Sequence, residues 1–251
     1  MKPANVSLSI ICGALLVSVC GWFLAAQPAK ILAISADSIG QELFALITTA
    51  NLKSNLGFSL WRLLVGSVAG IAAGLIVGLF IGLLPSARTY LGFIVNPALR
   101  IPVIALAPLL FFLLADGTAY YIVVVFITLF FSLIHVIKES IYKVPINFIE
   151  LAQVYQLKPK IYFRLIIWPA ILPAVLTNIR VGITSAWVLL LAVELAFADV
   201  GVGAIARAAA TTGDANTVIL CVAVISLIAT ALHYIFFYIE RNILRKRGSV
   251  K

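Results

Sequence analysis

Charge is what this chain has least of. Only 11% of its 251 residues are Asp, Glu, Lys or Arg, against about 25% in a soluble domain. Nine acidic side chains and two histidines leave little material for acid–base catalysis or a proton relay. The three cysteines, Cys12, Cys20 and Cys221, lie inside apolar runs, and none belongs to a C-x-x-C pair. A thiolate metal site and a disulfide framework are therefore not indicated. There is no Gly-x-x-x-x-Gly-Lys-Ser/Thr loop and no Gly-Lys dipeptide, which argues against a nucleotide-hydrolysing chain. What is present instead is apolar: 63% of residues are hydrophobic and the mean hydropathy is +1.16. One soluble core of this size does not bury that much surface. A bilayer solvates it, so the chain reads as an all-α integral membrane protein.

About 20 apolar residues cross the hydrocarbon. Six candidate spans follow: Val6–Ala26, Leu63–Leu84, a short proline-broken one from Ile101 to Leu114, Tyr120–Ile137, Val181–Ala198 and Thr217–Tyr238. The first exceeds a signal-peptide core in length and is read as a retained helix. An even number of spans puts both termini on one side. With the termini cytoplasmic, thirteen of the 18 basic residues fall inside and four outside, Arg180 lying near an inner boundary. The positive-inside rule selects that orientation. The net charge of +9 is then topology rather than a nucleic-acid footprint.

Within the second span, Gly66, Gly70, Gly74, Gly78 and Gly82 recur every four residues. They form a small-residue stripe suited to close helix packing, with a pore lining as the other reading. Pro97, Pro102 and Pro108 break the region of the third span. Freed carbonyls there need protein or water, which places the span inside the bundle beside a pathway or makes it a simple kink. Arg62 and Glu194 fall near the outer span ends and are expected to approach each other, as a fixed pair or as a gate. Arg180 is expected near the inner interface, where it could snorkel. The spans show no cluster of basic side chains announcing an anion site. The loop Asp199–Asp214, rich in Gly and Ala, is expected to re-enter or cap the pathway.

The stretch 138–173 is the longest polar segment on the inner side. Asn147 is placed to cap a helix over Phe148–Gln156, with Glu150 three residues on, close to a capping box. Ile149, Ala152 and Tyr155 would form its apolar stripe. Lys158-Pro159 would end it. A second helix carrying Tyr162, Phe163, Leu165, Ile166 and Trp168 toward Pro169 would form an amphipathic elbow on the membrane surface. The capped helix is either a solvated loop element or a docking helix for a soluble partner.

Glu150-Leu151-Ala152, then Gln156, then Ile166-Ile167-Trp168-Pro169 resembles the EAA motif of ABC importer permeases: Glu-Ala-Ala, three residues, Gly, nine residues, Ile-x-Leu-Pro. The spacing matches; Leu151, Gln156 and Trp168 depart from it. The missing glycine at Gln156 implies a different turn or tighter packing after the helix. Ser59-Leu60-Trp61-Arg62 is similar to the Ser-Leu-x-Arg segment of these permeases, and Pro102 to Leu109 to their Pro-x-x-Ala-x-x-Pro-Leu run. Ala186-Trp187 with Val193-Glu194 resembles the nitrate, sulfonate and taurine branch.

The resemblance implies a type I importer permease fold of six transmembrane helices with a cytoplasmic coupling helix. It implies one permease domain over residues 1–251, with an N-terminal helix at 6–26, a core at 57–240 and the coupling segment at 138–173. Phe148, Glu150, Leu151, Ala152, Tyr155 and Gln156 would meet an ATPase; Arg62, Glu194, Trp187 and Pro108 are candidates for the pathway or gate. The implied setting is the bacterial inner membrane. The implied partners are a second permease copy (a homodimer, with a related permease as fallback), two ATPase subunits holding ATP and Mg, and an extracytoplasmic solute-binding protein. The chain itself would bind no cofactor and catalyse nothing. The branch implies a small oxyanion such as a sulfonate, taurine, nitrate or bicarbonate as cargo, with a pyrimidine-type vitamin precursor as alternative. An ion-coupled carrier is the competing class, but only Glu194 is acidic inside an apolar run.

Overall fold

A computed structural model describes residues 50–98, 100–114 and 117–246. The expected first span, Cys12, Cys20 and the last basic residues lie outside the described residues. The described chain is all helical: α1 (Ala50–Leu83), α2 (Pro85–Ala98), α3 (Val103–Leu114), α4 (Thr118–Tyr142), α5 (Ile146–Val154), α6 (Pro159–Phe197), α7 (Val202–Thr212) and α8 (Ala215–Lys246). Among the described residues four helices, α1, α4, α6 and α8, are long and apolar enough to cross a membrane; α3 is a shorter apolar helix.

The core is built on α1 against α4. Each glycine of the stripe faces α4. A Cβ on Gly66 would sit 2.7 Å from the Ile122 carbonyl oxygen, and one on Gly70 would sit 2.8 Å from that of Phe126. Gly74 and Gly78 meet Leu133 and Ile137, and Gly82 meets Ile141. The missing side chains let the two backbones touch, and dispersion over that contact holds the pair in lipid. Packed alongside both helices, α6 completes two apolar clusters. One contains Leu63, Tyr120, Val124, Trp187 and Leu190; the other Leu133, Ile137, Val144, Ile167, Ile171 and Val175. α3 leans on the first through Phe111, which stacks on Phe197 at 4.9 Å. Its other face leaves Ile104, Leu109, Phe112 and Leu113 exposed.

Three expectations are corrected. Leu63 does not begin the helix of the second span: α1 is already helical at Ala50, the first described residue. The polar residues before Leu63 stay helical because their side chains find partners inside the protein. The elbow ending at Pro169 is not a separate surface helix. It is the start of α6, 39 residues long, which at 1.5 Å per residue spans about 58 Å against a hydrocarbon core of about 30 Å. A π-turn over Phe163–Ile167, in which the Trp168 amide donates to the Phe163 carbonyl, makes this continuity possible. The widened turn makes room for the Pro169 ring, which in a regular α-helix collides with the carbonyl four residues back.

The third correction concerns α5. The helix begins at Ile146 with Pro145 at the capping position and no side-chain cap, so Asn147 and Glu150 form no capping box. Pro145 starts the helix because its fixed φ suits that position and it has no amide to leave unpaired. The helix ends at Val154 in a full Schellman closure: Leu157 N–H donates to the Ala152 carbonyl at 2.9 Å, and Gln156 N–H to that of Gln153 at 3.0 Å. The residue this closure holds left-handed is Gln156, at φ 47°. The turn is thus the one a glycine makes, carried by a side chain that strains it. Gln156→Gly is expected to raise stability by about 1 kcal/mol, and Gln156→Val to lower it. The midpoint of thermal unfolding of purified protein in detergent checks both.

Candidate functional site

Asn55, Ser59 and Arg62 recur at intervals of four and three on α1 and so share one face. That face meets the end of α6 and the turn before α7. Arg62 Nη1 donates to Glu194 Oε1 at 2.8 Å and to the Val200 carbonyl at 2.7 Å. Its guanidinium lies 4.0 Å from the centroid of the Tyr121 ring. Ser59 Oγ lies 2.9 and 2.7 Å from the two carboxylate oxygens of Glu194 and accepts from Val202 N–H at 3.0 Å. Gly203 N–H reaches Glu194 Oε2 at 3.3 Å, and Gly201 N–H donates to Asn55 Oδ1 at 2.6 Å. The Arg62 and Glu194 side chains are 5% and 0% exposed. A buried ion pair needs its remaining lone pairs and protons satisfied; here Ser59 Oγ and Gly203 N–H serve the carboxylate and the Val200 carbonyl serves the guanidinium, while Arg62 Nε has no hydrogen-bond partner among the described residues.

The turn is shaped for the carboxylate. Gly201 has φ 132°, and a Cβ there would stand 2.5 Å from Glu194 Oε2. The segment expected to re-enter or cap is the α7 helix, seated through Val202, Ala204, Ala206 and Ala209. Arg207 on α7 donates to the Ala196 and Ala198 carbonyls and so closes the end of α6. At the start of α8 the Thr217 side chain and its N–H both hydrogen-bond Asp214, and these bonds, the side-chain one foremost, hold its carboxyl below the usual range.

A second polar clasp joins α6 to α8. Arg180 does not merely snorkel: its Nε donates to Glu240 at 2.6 Å, and Glu240 also accepts from Thr177 Oγ1 at 2.5 Å. His233 Nε2 stands 3.5 Å from Arg180 Nη1. Glu240 escaped the sequence reading because it opens a basic C-terminal run that looks like a solvated tail. Its position sixty residues after Arg180 offered no signal.

The remaining candidates separate. Trp187 is fully buried, with its indole N–H donating to the Ile225 carbonyl at 3.4 Å. It fills the joint between α6 and α8 instead of lining an open passage. Pro108 lies on the exposed face of α3. On α5, Ala152 is buried, while Phe148, Leu151, Val154 and Tyr155 are half or more exposed, and Glu150 is exposed among them. The expected stripe therefore splits: Ala152 faces inward and Tyr155 outward. Just before α5, Val144 is buried in the cluster formed by Leu133 and Ile137 of α4 and Ile167 and Ile171 of α6. Among the described residues no group of His, Cys, Asp and Glu is arranged to hold a metal.

Known proteins resemble this chain. A probable ABC transporter permease protein of Brucella melitensis is 26% identical over 74% of this chain and 76% of its own length. The taurine transport system permease protein TauC of Escherichia coli is 25% identical over 99% of this chain and 94% of its own. The nitrate import permease protein NrtB of Synechococcus elongatus is 26% identical over 61% of this chain, which spans 57% of that protein. Among solved structures, a chain of the MetNI methionine ABC transporter in an inward-facing conformation superposes with a TM-score of 0.62 at 19% identity. That match covers 74% of this chain and 93% of the other. The model of the binding-protein-dependent transport system inner membrane component matches residues 70–245. The chain belongs to that family: it is a multi-pass inner-membrane permease of the ABC importer type, in the nitrate, sulfonate and taurine-like branch.

Proposed function

We propose that this permease forms the translocation path of an importer for a small oxyanion of the nitrate, bicarbonate, taurine or sulfonate kind, driven by a separate ATPase that docks on α5. The observation that carries the reading is the build of α5. A nine-residue helix presents apolar side chains and one carboxylate outward, at a place beyond the end of a membrane-crossing helix. Exposed apolar surface of that kind marks a protein partner. Val144 roots the helix between α4 and α6, so a push on α5 reaches both spans through packed side chains.

In this reading the chain has six spans, the first lying before the described residues, with both termini and α5 cytoplasmic. Two copies pair about a two-fold axis to match a symmetric ATPase dimer. ATP and Mg sit on those ATPase subunits, and an extracytoplasmic binding protein delivers the solute. ATP closes the ATPase dimer, and the path changes its open side because the two states bind the motor unequally. Reconstitution with the cognate ATPase subunit tests the docking. Glu150→Lys and Phe148→Asp are each expected to lower solute-stimulated ATP hydrolysis about tenfold or more, with the permease still folded. Hydrolysis unchanged in both variants would sink the docking role of α5.

A further inference from the structure

No single span carries a basic cluster, yet the fold assembles one. Thr128, Ser132, His135 and Glu139 recur on α4 at intervals of four, three and four, so they form one stripe, and Lys138, three residues after His135, flanks it. It lies on the far side of α4 from Leu133 and Ile137, which pack on the glycines of α1. A polar stripe on a membrane-crossing helix requires protein or water opposite it. What lies opposite is a cavity of about 740 Å³, bounded on its other wall by the α2–α3 junction, including Asn96 and Arg100.

The chemistry of that cavity favours an anion. Arg100 and Lys138 contribute two basic side chains and His135 an imidazole, against the one carboxyl group of Glu139. Lys138 Nζ donates to Asn96 Oδ1 at 2.7 Å, bridging α4 and α2 beside the cavity and fixing the ammonium there. An ammonium has three donors and a guanidinium five, so donors remain for a ligand after that contact. Ser132 is itself oriented by Asn178 Nδ2 of α6 at 2.9 Å. The stripe from Thr128 to Glu139 rises about 16 Å along the helix. That depth reaches well past the headgroup level into the span, which fits a water-filled vestibule for a small solute and not a lipid headgroup site.

We propose that this cavity is a station for a small oxyanion at the α5 end of the path, with Arg100 and Lys138 holding the anion and Ser132 and Thr128 lining its approach. The station rests on the importer reading above and adds to it the residues that meet the cargo last. Full-length permease in uncharged detergent, titrated by calorimetry with nitrate and with taurine, tests it. At least one of the two is expected to bind saturably. Arg100→Gln and Lys138→Gln are each expected to weaken that binding about tenfold or more, Lys138→Arg to restore it, and Lys53→Gln to leave it unchanged, all with unaltered thermal unfolding. Binding of neither anion, equal affinity in the Gln variants, or a signal seen only with phosphatidylglycerol each overturns the proposal. The titration involves no ATPase. Failed ATP-driven uptake with intact binding therefore counts against the importer alone, and intact uptake with unaltered binding in the variants counts against the station alone.

Discussion

Glu194→Ala is expected to destabilise the permease by about 3–5 kcal/mol, because it strands the buried Arg62 guanidinium. The change would be read as a fall in the midpoint of thermal unfolding in detergent. Arg62→Ala is expected to match it, since a carboxylate with 0% exposure then loses its cation. Ser59→Ala is expected to do less, about 1–2 kcal/mol, because the carboxylate keeps Arg62 and the Gly203 amide. The informative variant is the exchange Arg62→Glu with Glu194→Arg. A simple pair of opposite charges would be rescued by it. Here it is expected to fail, because the carboxylate position is ringed by donors, Ser59 Oγ and Gly203 N–H, and the guanidinium position by the Val200 carbonyl and the Tyr121 ring. Rescue by the exchange would show that charge alone matters and that the turn before α7 is not built around the carboxylate. Gly201→Ala belongs to the same test: its Cβ would run into Glu194, so it is expected to disturb the pair without touching either charge.

Gly66→Val is expected to abolish a stably folded permease, with a loss of about 3 kcal/mol or more seen as loss of monodisperse protein on size exclusion. The reason is backbone contact. The new Cβ would fall 2.7 Å from both the Ile122 carbonyl oxygen and Val125 Cβ, and a carbonyl in a helix ladder does not step aside. The stripe should grade: Gly70→Val close behind, and Gly74→Ala and Gly78→Ala milder, since their nearest neighbours stand at 3.0 Å and include side-chain atoms. Gly57→Val is the internal control. A Cβ there meets nothing within 4 Å, and valine is a slightly better helix former than glycine. If the stripe instead lined a path, small substitutions would change transport while leaving the protein folded, and the grading would follow solute size.

The glycine spacing was legible because period four on a helix has one geometric meaning, and only the partner, α4, had to come from the fold. Arg62 and Glu194 were legible as a pair because a charge inside an apolar run needs a partner. Their setting was not, since Asn55 and Ser59 sit before the stretch that hydropathy marks as a span. Recognising that Asn55, Ser59 and Arg62 share a helical face would have extended α1 back at least to Asn55. The continuity of α6 was hidden by Pro169 and Pro173, which read as breaks; the extra residue of the π-turn reconciles Pro169 with a helix, and Pro173 is carried inside the regular helix that follows. Gln156 misled in the opposite sense. A missing glycine suggested a different turn, whereas the Schellman hydrogen bonds hold the left-handed backbone against the preference of the side chain. The basic cavity could not be read at all, because Arg100 and Lys138 come from separate helices and meet only through the packing of α2 beside α4.

The Arg62 pair also sets an order of events. Its two members are 132 residues apart, so at a synthesis rate of roughly 5–20 residues per second the arginine leaves the ribosome about 10 s before its carboxylate exists. Through that interval α1 carries an unmatched cation, with the Ser59 and Asn55 side chains still waiting for the turn that will engage them. An unpaired arginine in a membrane-crossing helix carries an insertion cost, so the nascent α1 is expected to hold that residue at the interface or within the insertion machinery. It reaches its final depth only after α6 arrives. The Arg62–Glu194 contact thus ties an early helix of this permease to a late one.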